Sequence, residues 1–286
     1  MTTILVTGSK GQLGSDLKDL SGNHPVYRFL FTDVDELDIT DLPALSAYFE
    51  KEKPDVVINC AAYTAVDKAE DEPERAFQIN AEAAGYIAEA CTRHHCFLFH
   101  ISTDYVFDGT TPAPIKEDRE TAPASVYGHS KLEGERQVIA RAEHGMIIRT
   151  SWLYSSYGSN FVKTILRLAR ERGALKVVND QTGTPTYSRD LAEAILTIVP
   201  LRERINGVEI FHYANEGIVT WHGFAEAILH SKGVACTVTP IPTKDYPAKA
   251  KRPMYSVLST DKIKTRFGIT IPGWKDSMER CLKKIP

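Results

Sequence analysis

A short apolar strand that breaks into three glycines and then into a helix constrains this chain more than any other feature. In TTILVTGSKGQLGSDL, Ile4 to Val6 form the apolar run, Gly8, Gly11 and Gly14 follow, and Leu13 and Leu17 recur at helical spacing. A continuous apolar strand is buried on both faces, which is the habit of a parallel sheet. Glycine permits a tight turn and lets backbone N–H groups approach a pyrophosphate, while the start of the next helix adds a favourable dipole. The segment predicts a dinucleotide cradle, spaced Gly-x-x-Gly-x-x-Gly rather than Gly-x-Gly-x-x-Gly.

The first half of the chain alternates strand and helix. Strands are predicted over 3–7, 27–32, 55–60, 96–101 and 145–149, and helices over 12–20, 41–51, 73–92 and 128–143. Helical spans of this length between strands imply right-handed crossovers, so the expected fold class is α/β, a Rossmann-like doubly wound parallel sheet. After Arg149 the organisation changes. Segments such as DQTGTPTY and PIPTKDYPAKAKRPMYS suit ordered loops around a ligand, and helices are predicted over 159–171, 188–199, 221–231, 259–265 and 274–283. The expectation is a dinucleotide-binding domain over 1–150, to which part of 185–212 returns, and a smaller C-terminal substrate-binding lobe over 151–286.

Charge narrows the class of partner. With 34 Lys and Arg against 37 Asp and Glu among 286 residues, bulk charge recommends neither nucleic acid nor an acidic membrane. Cys60, Cys91, Cys96, Cys236 and Cys281 contain no Cys-x-x-Cys pair and read as residues of a reducing compartment. No secretory leader precedes Ile4 and no apolar run reaches membrane-spanning length, so a soluble, cytoplasmic protein is expected. The scatter of His94, His95, His100 and His129 gives no metal constellation, and no catalytic metal is predicted.

In an open parallel sheet the ligand lies beyond the carboxyl ends of the strands. After YRFLF come Asp33, Asp35 and Asp38. Asp33 is the candidate acceptor for the adenosine ribose, and its charge repels a ribose phosphate, which favours NADH; Lys10 and Arg28 could offset it, so NADPH stays open. Asp38 either closes the adenine pocket or caps the helix begun after Thr40. Next come Ala61 and Ala62, small enough for a cofactor to pass over the backbone, and then Ser102, Thr103 and Asp104. Thr103 is preferred over Ser102 as the hydroxyl that polarises a substrate carbonyl, on the alternation after Phe99 and Ile101.

Tyr127 and Lys131 in VYGHSKLEGE lie four apart, so a helix stacks them on one face. An ammonium beside a phenol favours the phenolate and is expected to lower the phenol's pKa toward the working range. As hydride reaches a carbonyl carbon a proton must reach its oxygen, and Tyr127 is placed to give it.

Taken together these stretches resemble an extended short-chain dehydrogenase/reductase and, within that superfamily, the dTDP-4-dehydrorhamnose reductase family. The resemblance is carried by GSKGQLG at 8–14, LDITD at 37–41, NCAAYTAVDKAE at 59–70, STDYVFDG at 102–109, VYGHSKLEGE at 126–135, RTSWLYSSYGSNFVKT at 149–164, NDQTGTPTYSRDLA at 179–192 and KRPMYSVL at 251–258. It implies reduction of a dTDP-linked 4-keto-6-deoxy sugar by NADPH or NADH, with Thr103, Tyr127 and Lys131 as catalytic triad and Lys131 also holding the nicotinamide ribose. It further implies a cofactor site that includes Gln12, Leu13, Ile39 and Tyr63, and a substrate site of Val66, Asp67, Asp104, Tyr105, Trp152, Thr184 and Arg252.

Under this resemblance Trp152 lays its indole against the hexose, Arg252 takes the pyrophosphate, and loops around 150–160, 180–187 and 244–256 close over the sugar. Some relatives bind a divalent cation at a dimer interface, but Asp190 and Glu279 do not establish such a site, and the chain is left as monomer or homodimer. Two other classes stand beside this reading. One is another nucleotide-sugar reductase or epimerase, for which no extra base is evident. The other is a noncatalytic regulatory subunit resembling that of methionine adenosyltransferase, against which the retained Thr103, Tyr127 and Lys131 weigh.

Overall fold

The computed structural model describes residues 1–110 and 112–286. The chain runs β1 (Thr2–Thr7), α1 (Gln12–Ser21), β2 (Tyr27–Phe31), α2 (Leu42–Glu52), β3 (Val56–Asn59), α3 (Val66–Ala69), α4 (Pro73–Phe77), α5 (Ala83–Arg93), β4 (Phe97–Thr103), α6 (Val126–Arg141) and β5 (Gly145–Thr150). It continues through β6 (Leu153–Tyr154), α7 (Phe161–Arg172), β7 (Ala174–Val178), β8 (Thr182–Gly183), β9 (Thr186–Tyr187) and α8 (Ser188–Ile198). The last elements are β10 (Val208–His212), β11 (Val219–Thr220), α9 (Trp221–Ser231), β12 (Thr237–Ile241), α10 (Asp261–Phe267) and α11 (Trp274–Leu282).

Six strands pair in the order β10-β5-β4-β3-β1-β2, all parallel, which is the doubly wound sheet the alternation implied. The chain leaves β1 toward β2 on one side and returns to β3 on the other, so a crevice opens at the carboxyl ends of β1 and β3. Ile4, Val6, Ile58 and Ile148 pack on one face against Leu17 of α1 and Leu191 and Ile195 of α8. Leu5, Val57, Leu98 and Ile147 face the other way, toward Phe49 of α2 and Ile87 of α5. Each such side chain contributes roughly 1.5–3 kcal/mol through burial. The continuous apolar runs of the central strands follow from this two-sided cover.

The second half builds a separate core in which Tyr154, Leu166, Tyr187, Phe224, Trp274 and Met278 come together. Short pairs, β7 with β12, β6 with β9 and β8 with β11, brace the loops that reach back toward the crevice.

Besides the short strands β6, β7, β8, β9, β11 and β12, none of which the sequence-based segmentation includes, two features depart from it. The helix expected over 73–92 is interrupted by a π-helical turn at Gln78–Glu82. At that turn the Asn80 carboxamide accepts from Tyr63 N at 2.8 Å and donates to Tyr63 O at 3.0 Å and to Ser130 Oγ at 2.9 Å. Its side chain thus ties the loop after β3 to α6. Strand β10 was not anticipated as a strand, because it is an edge strand whose Val208 to Ile210 are only half buried and so carry no apolar run.

Candidate active site

The glycine turn is shaped by two contacts. Gly8 has φ +65°, and a Cβ there would lie 2.6 Å from Ala61 N; a Cβ at Gly14 would lie 2.4 Å from Gly8 O. Any side chain at either position would push β1, α1 and the end of β3 apart. Gly11 caps α1 in extended conformation and no side chain satisfies the helix's first N–H groups. An uncapped helix start beside small residues is the donor set a pyrophosphate requires. The residues present therefore fit a dinucleotide.

The turn opens into a cavity of about 1040 Å³ that collects the carboxyl ends of β1, β3, β4 and β5. Of the expected cofactor residues, Gly8, Gly11, Gln12, Leu13, Gly14, Asp33, Asp38, Ile39, Ala61, Ala62, Tyr127 and Lys131 line it. Tyr63 does not; its hydroxyl donates to Glu72 at 2.8 Å. Asp33 accepts from Lys10 N at 2.8 Å and from Val34 N at 2.9 Å, which fixes the loop above β2. Lys10 is held by Asp35 at 2.7 Å and Glu36 at 3.1 Å, and Arg28 by Glu52 at 2.6 Å. Asp38 accepts from Thr40 N and Oγ1, and Asp41 rather than Asp38 caps α2.

Helix α6 begins at a Ser125 cap, whose Oγ accepts from Gly128 N at 3.2 Å, and so starts its first turn with Tyr127 facing inward. Beyond its first turns the helix is locked by a buried network at Glu135. Glu135 accepts from Arg149 Nε at 2.9 Å and Nη2 at 2.7 Å, and Ser102 also donates to it. Ser102 is thereby spent on the helix, whereas Thr103 turns to Asp104, donating to Oδ1 at 3.1 Å, and accepts from Tyr105 N at 3.2 Å. Thr103, Tyr127 and Lys131 meet in the same cavity. Beneath them Thr7 donates to Asn59 at 2.7 Å, and Asn59 bonds the His100 ring at 3.1 Å, with burial holding that ring neutral.

The electrostatics correct one expectation. Tyr127 is not acidified: burial pushes its phenol up to about 12, eased by the Thr103 hydroxyl and reinforced by the Asp104 charge. Lys131 is itself fully buried, its ammonium donating to Ile101 O at 2.7 Å, and burial pushes it down to about 8 against the pull of Glu135 and Cys60. Desolvation of the buried phenol outweighs the favourable bond from the Thr103 hydroxyl. Asp104 is buried beside them and pushed up to about 7 by that burial.

On the substrate side, Val66, Asp104, Tyr105 and Trp152 line the cavity, and the Tyr105 ring meets Tyr127 edge-on at 5.4 Å. Asp67, Thr184 and Arg252 do not line it. Asp67 and Arg252 pair with each other, and the Thr184 hydroxyl donates to Gly217 O at 2.7 Å. Residues that sequence reasoning missed include Arg75, Gln78 and Ile79 from the interrupted helix, and Trp221. Nothing in their sequence context signals it, because the π-helical turn and the meeting of the two halves bring them there. Among the described residues no group of three His, Cys, Asp or Glu is placed to hold a metal ion, and no helix is long and apolar enough to cross a membrane.

A dinucleotide turn facing a buried tyrosine and lysine across one cleft defines a short-chain dehydrogenase/reductase of the extended type. The model of the RmlD substrate binding domain family matches residues 1–286. The chain belongs to that family, the dTDP-4-dehydrorhamnose reductases. It is 42% identical over 296 residues to dTDP-4-dehydrorhamnose reductase of Aggregatibacter actinomycetemcomitans, covering 100% of this chain and 98% of that one. The crystal structure of a dTDP-4-dehydrorhamnose reductase from Clostridium acetobutylicum superposes with TM-score 0.94 at 42% identity, over 99% of each chain. That of the Bacillus anthracis enzyme in complex with NADP gives TM-score 0.94 at 36% identity, over 99% of this chain and 100% of the other.

Proposed function

We infer that this chain reduces the 4-keto group of dTDP-4-dehydro-β-L-rhamnose to give dTDP-L-rhamnose, with NADPH or NADH as reductant. The observation that carries the reading is that the glycine turn and Thr103, Tyr127 and Lys131 line one cavity of about 1040 Å³. The bound nicotinamide supplies the hydride. Thr103 and Tyr127 bond the ketone oxygen, and as charge develops there Tyr127 donates its proton. A phenol that burial keeps protonated is suited to this direction, since an alkoxide is a stronger base than a phenolate. Lys131 orients the nicotinamide ribose and stabilises the phenolate left behind, while Asp104 and Tyr105 hold the hexose.

The glycine turn with Asp33, Asp38, Ile39, Ala61 and Ala62 binds the cofactor, within a dinucleotide-binding domain of residues 1–150 joined by part of 185–212. The remainder of 151–286 forms the sugar-nucleotide lobe, where Arg252 takes the pyrophosphate. Asp33 lines the cavity beyond β2, and the nearby cations Lys10 and Arg28 are already paired with carboxylates, so NADH is favoured over NADPH. The decisive experiment supplies the dTDP-linked 4-keto sugar with each reduced cofactor and determines the product's configuration at the reduced carbon. Formation of dTDP-L-rhamnose, faster with NADH, is expected; no cofactor oxidation, or a product of another configuration, overturns the reading.

A further inference from the structure

Trp152 holds a backbone conformation that side chains rarely adopt, with φ +47°. Its indole lies flat on that of Trp221, the ring centroids 3.5 Å apart and the planes within 9°. Trp221 is the first residue of α9 and packs, partly buried, against the core of the second half. It is backed by Phe161 at 4.6 Å, which stacks in turn on Phe224 at 5.6 Å. Gly183 leaves room for the Trp152 indole: a Cβ there would sit 2.5 Å from its Cε2. Both tryptophans line the cavity beside Thr150 and Ser151. An indole with one face under a second indole and a neighbour that close cannot swing on its χ angles.

We propose that Trp221 is a positioning residue for the sugar end of the substrate: stacked on Trp152, it fixes that indole in the wall of the cleft, so the hexose meets a preformed aromatic surface. The proposal rests on the reductase reading above and deepens it. An aromatic ring already immobilised loses no rotamer freedom when ligand arrives, so its contact with the apolar C–H face of a hexose is retained as affinity. The device also links the two halves of the molecule, since the Trp152 loop follows β5 and Trp221 opens a helix of the second core.

The test combines spectroscopy with binding. Indoles whose centroids lie 3.5 Å apart couple their electronic transitions, and a twist between the stacked rings gives a paired positive and negative circular dichroism band. That couplet is expected in the wild type and absent from Trp221→Ala. Calorimetry is expected to show dTDP-L-rhamnose bound about tenfold more weakly by Trp221→Ala, with dTDP alone and the nicotinamide cofactor changed by less than about twofold. Trp221→Phe keeps a ring on Trp152 and should recover binding to within about threefold, although the couplet is lost. Trp221→Leu, apolar but without an aromatic face, replaces the alanine variant if that one does not fold. Unchanged dTDP-L-rhamnose affinity in Trp221→Ala or Trp221→Leu overturns the proposal, and so does an equal loss for dTDP or cofactor. Binding is read without turnover: a wild type that binds dTDP-L-rhamnose but reduces no ketosugar sinks the reductase reading alone, and one that binds no dTDP-sugar sinks both.

Discussion

Asp67 and Arg252, far apart in sequence, meet in a bidentate ion pair. Nη1 donates to Oδ1 at 3.1 Å and Nη2 to Oδ2 at 2.8 Å, and Nη1 also reaches Ala250 O at 3.3 Å. Lys249 pairs with Asp71 at 2.6 Å nearby, so two ion pairs tie the 249–252 loop to the residues around α3. The Nε edge of Arg252 makes no hydrogen bond among the described residues. A guanidinium held through one edge presents the other to a second anion with its direction already set.

Arg252→Ala is therefore expected to weaken dTDP-sugar binding by about tenfold to a hundredfold, the loss of a charge-assisted hydrogen bond to phosphate. Cofactor binding should be nearly unchanged. Calorimetry with each ligand checks this, and equal losses for both would contradict the assignment.

Tyr127→Phe removes the proton donor and keeps the ring that Tyr105 packs against. Turnover should fall by roughly 10²–10⁴-fold while the cofactor dissociation constant holds. Single-turnover hydride transfer followed by nicotinamide absorbance reads it directly. An unchanged rate would remove Tyr127 from the mechanism.

Burial pushes the Asp104 carboxyl up to about 7, with Ser256 and Thr103 pulling it back. Since the folded pKa lies above the unfolded one, the native chain keeps a proton between about pH 4 and 7 that the unfolded chain releases, and stability falls as pH rises across that window. Urea unfolding at about pH 5 and about pH 8 should show the wild type losing a few kcal/mol more than Asp104→Asn. Parallel curves for the two proteins would place the carboxyl's pKa in the ordinary range.

Glu135 and Arg149 are both almost fully buried. Glu135→Gln leaves the guanidinium without its counter-charge, an imbalance that costs about 3–5 kcal/mol when one partner of a buried pair is removed. The urea midpoint should drop accordingly. A shift under about 1 kcal/mol would mean that Arg149 finds compensation elsewhere, for instance at Glu117 O or over the Phe107 ring.

Local chemistry made much of this legible beforehand. The glycine turn, the strand–helix alternation and the Tyr127–Lys131 spacing are written in neighbouring residues, because periodicity and backbone sterics act over a few positions. What escaped depended on distant partners. Asn80 bends its helix through bonds to Tyr63 and Ser130, and β10 owes its strand to the register with β5. Trp221 is seated in the cleft by ring contacts with Phe161 and Trp152, which no local pattern announces.

The sequence alone determined the doubly wound sheet, the dinucleotide turn and the residues able to carry a hydride–proton reduction, since each is encoded within a turn or two of chain. Only the tertiary structure decided their electrostatic state and company: a phenol kept protonated by burial, a lysine lowered by burial to about 8, and an arginine aimed by a carboxylate from another element. Desolvation and ion pairing depend on what surrounds a group in space, and that is set only when the whole chain has folded.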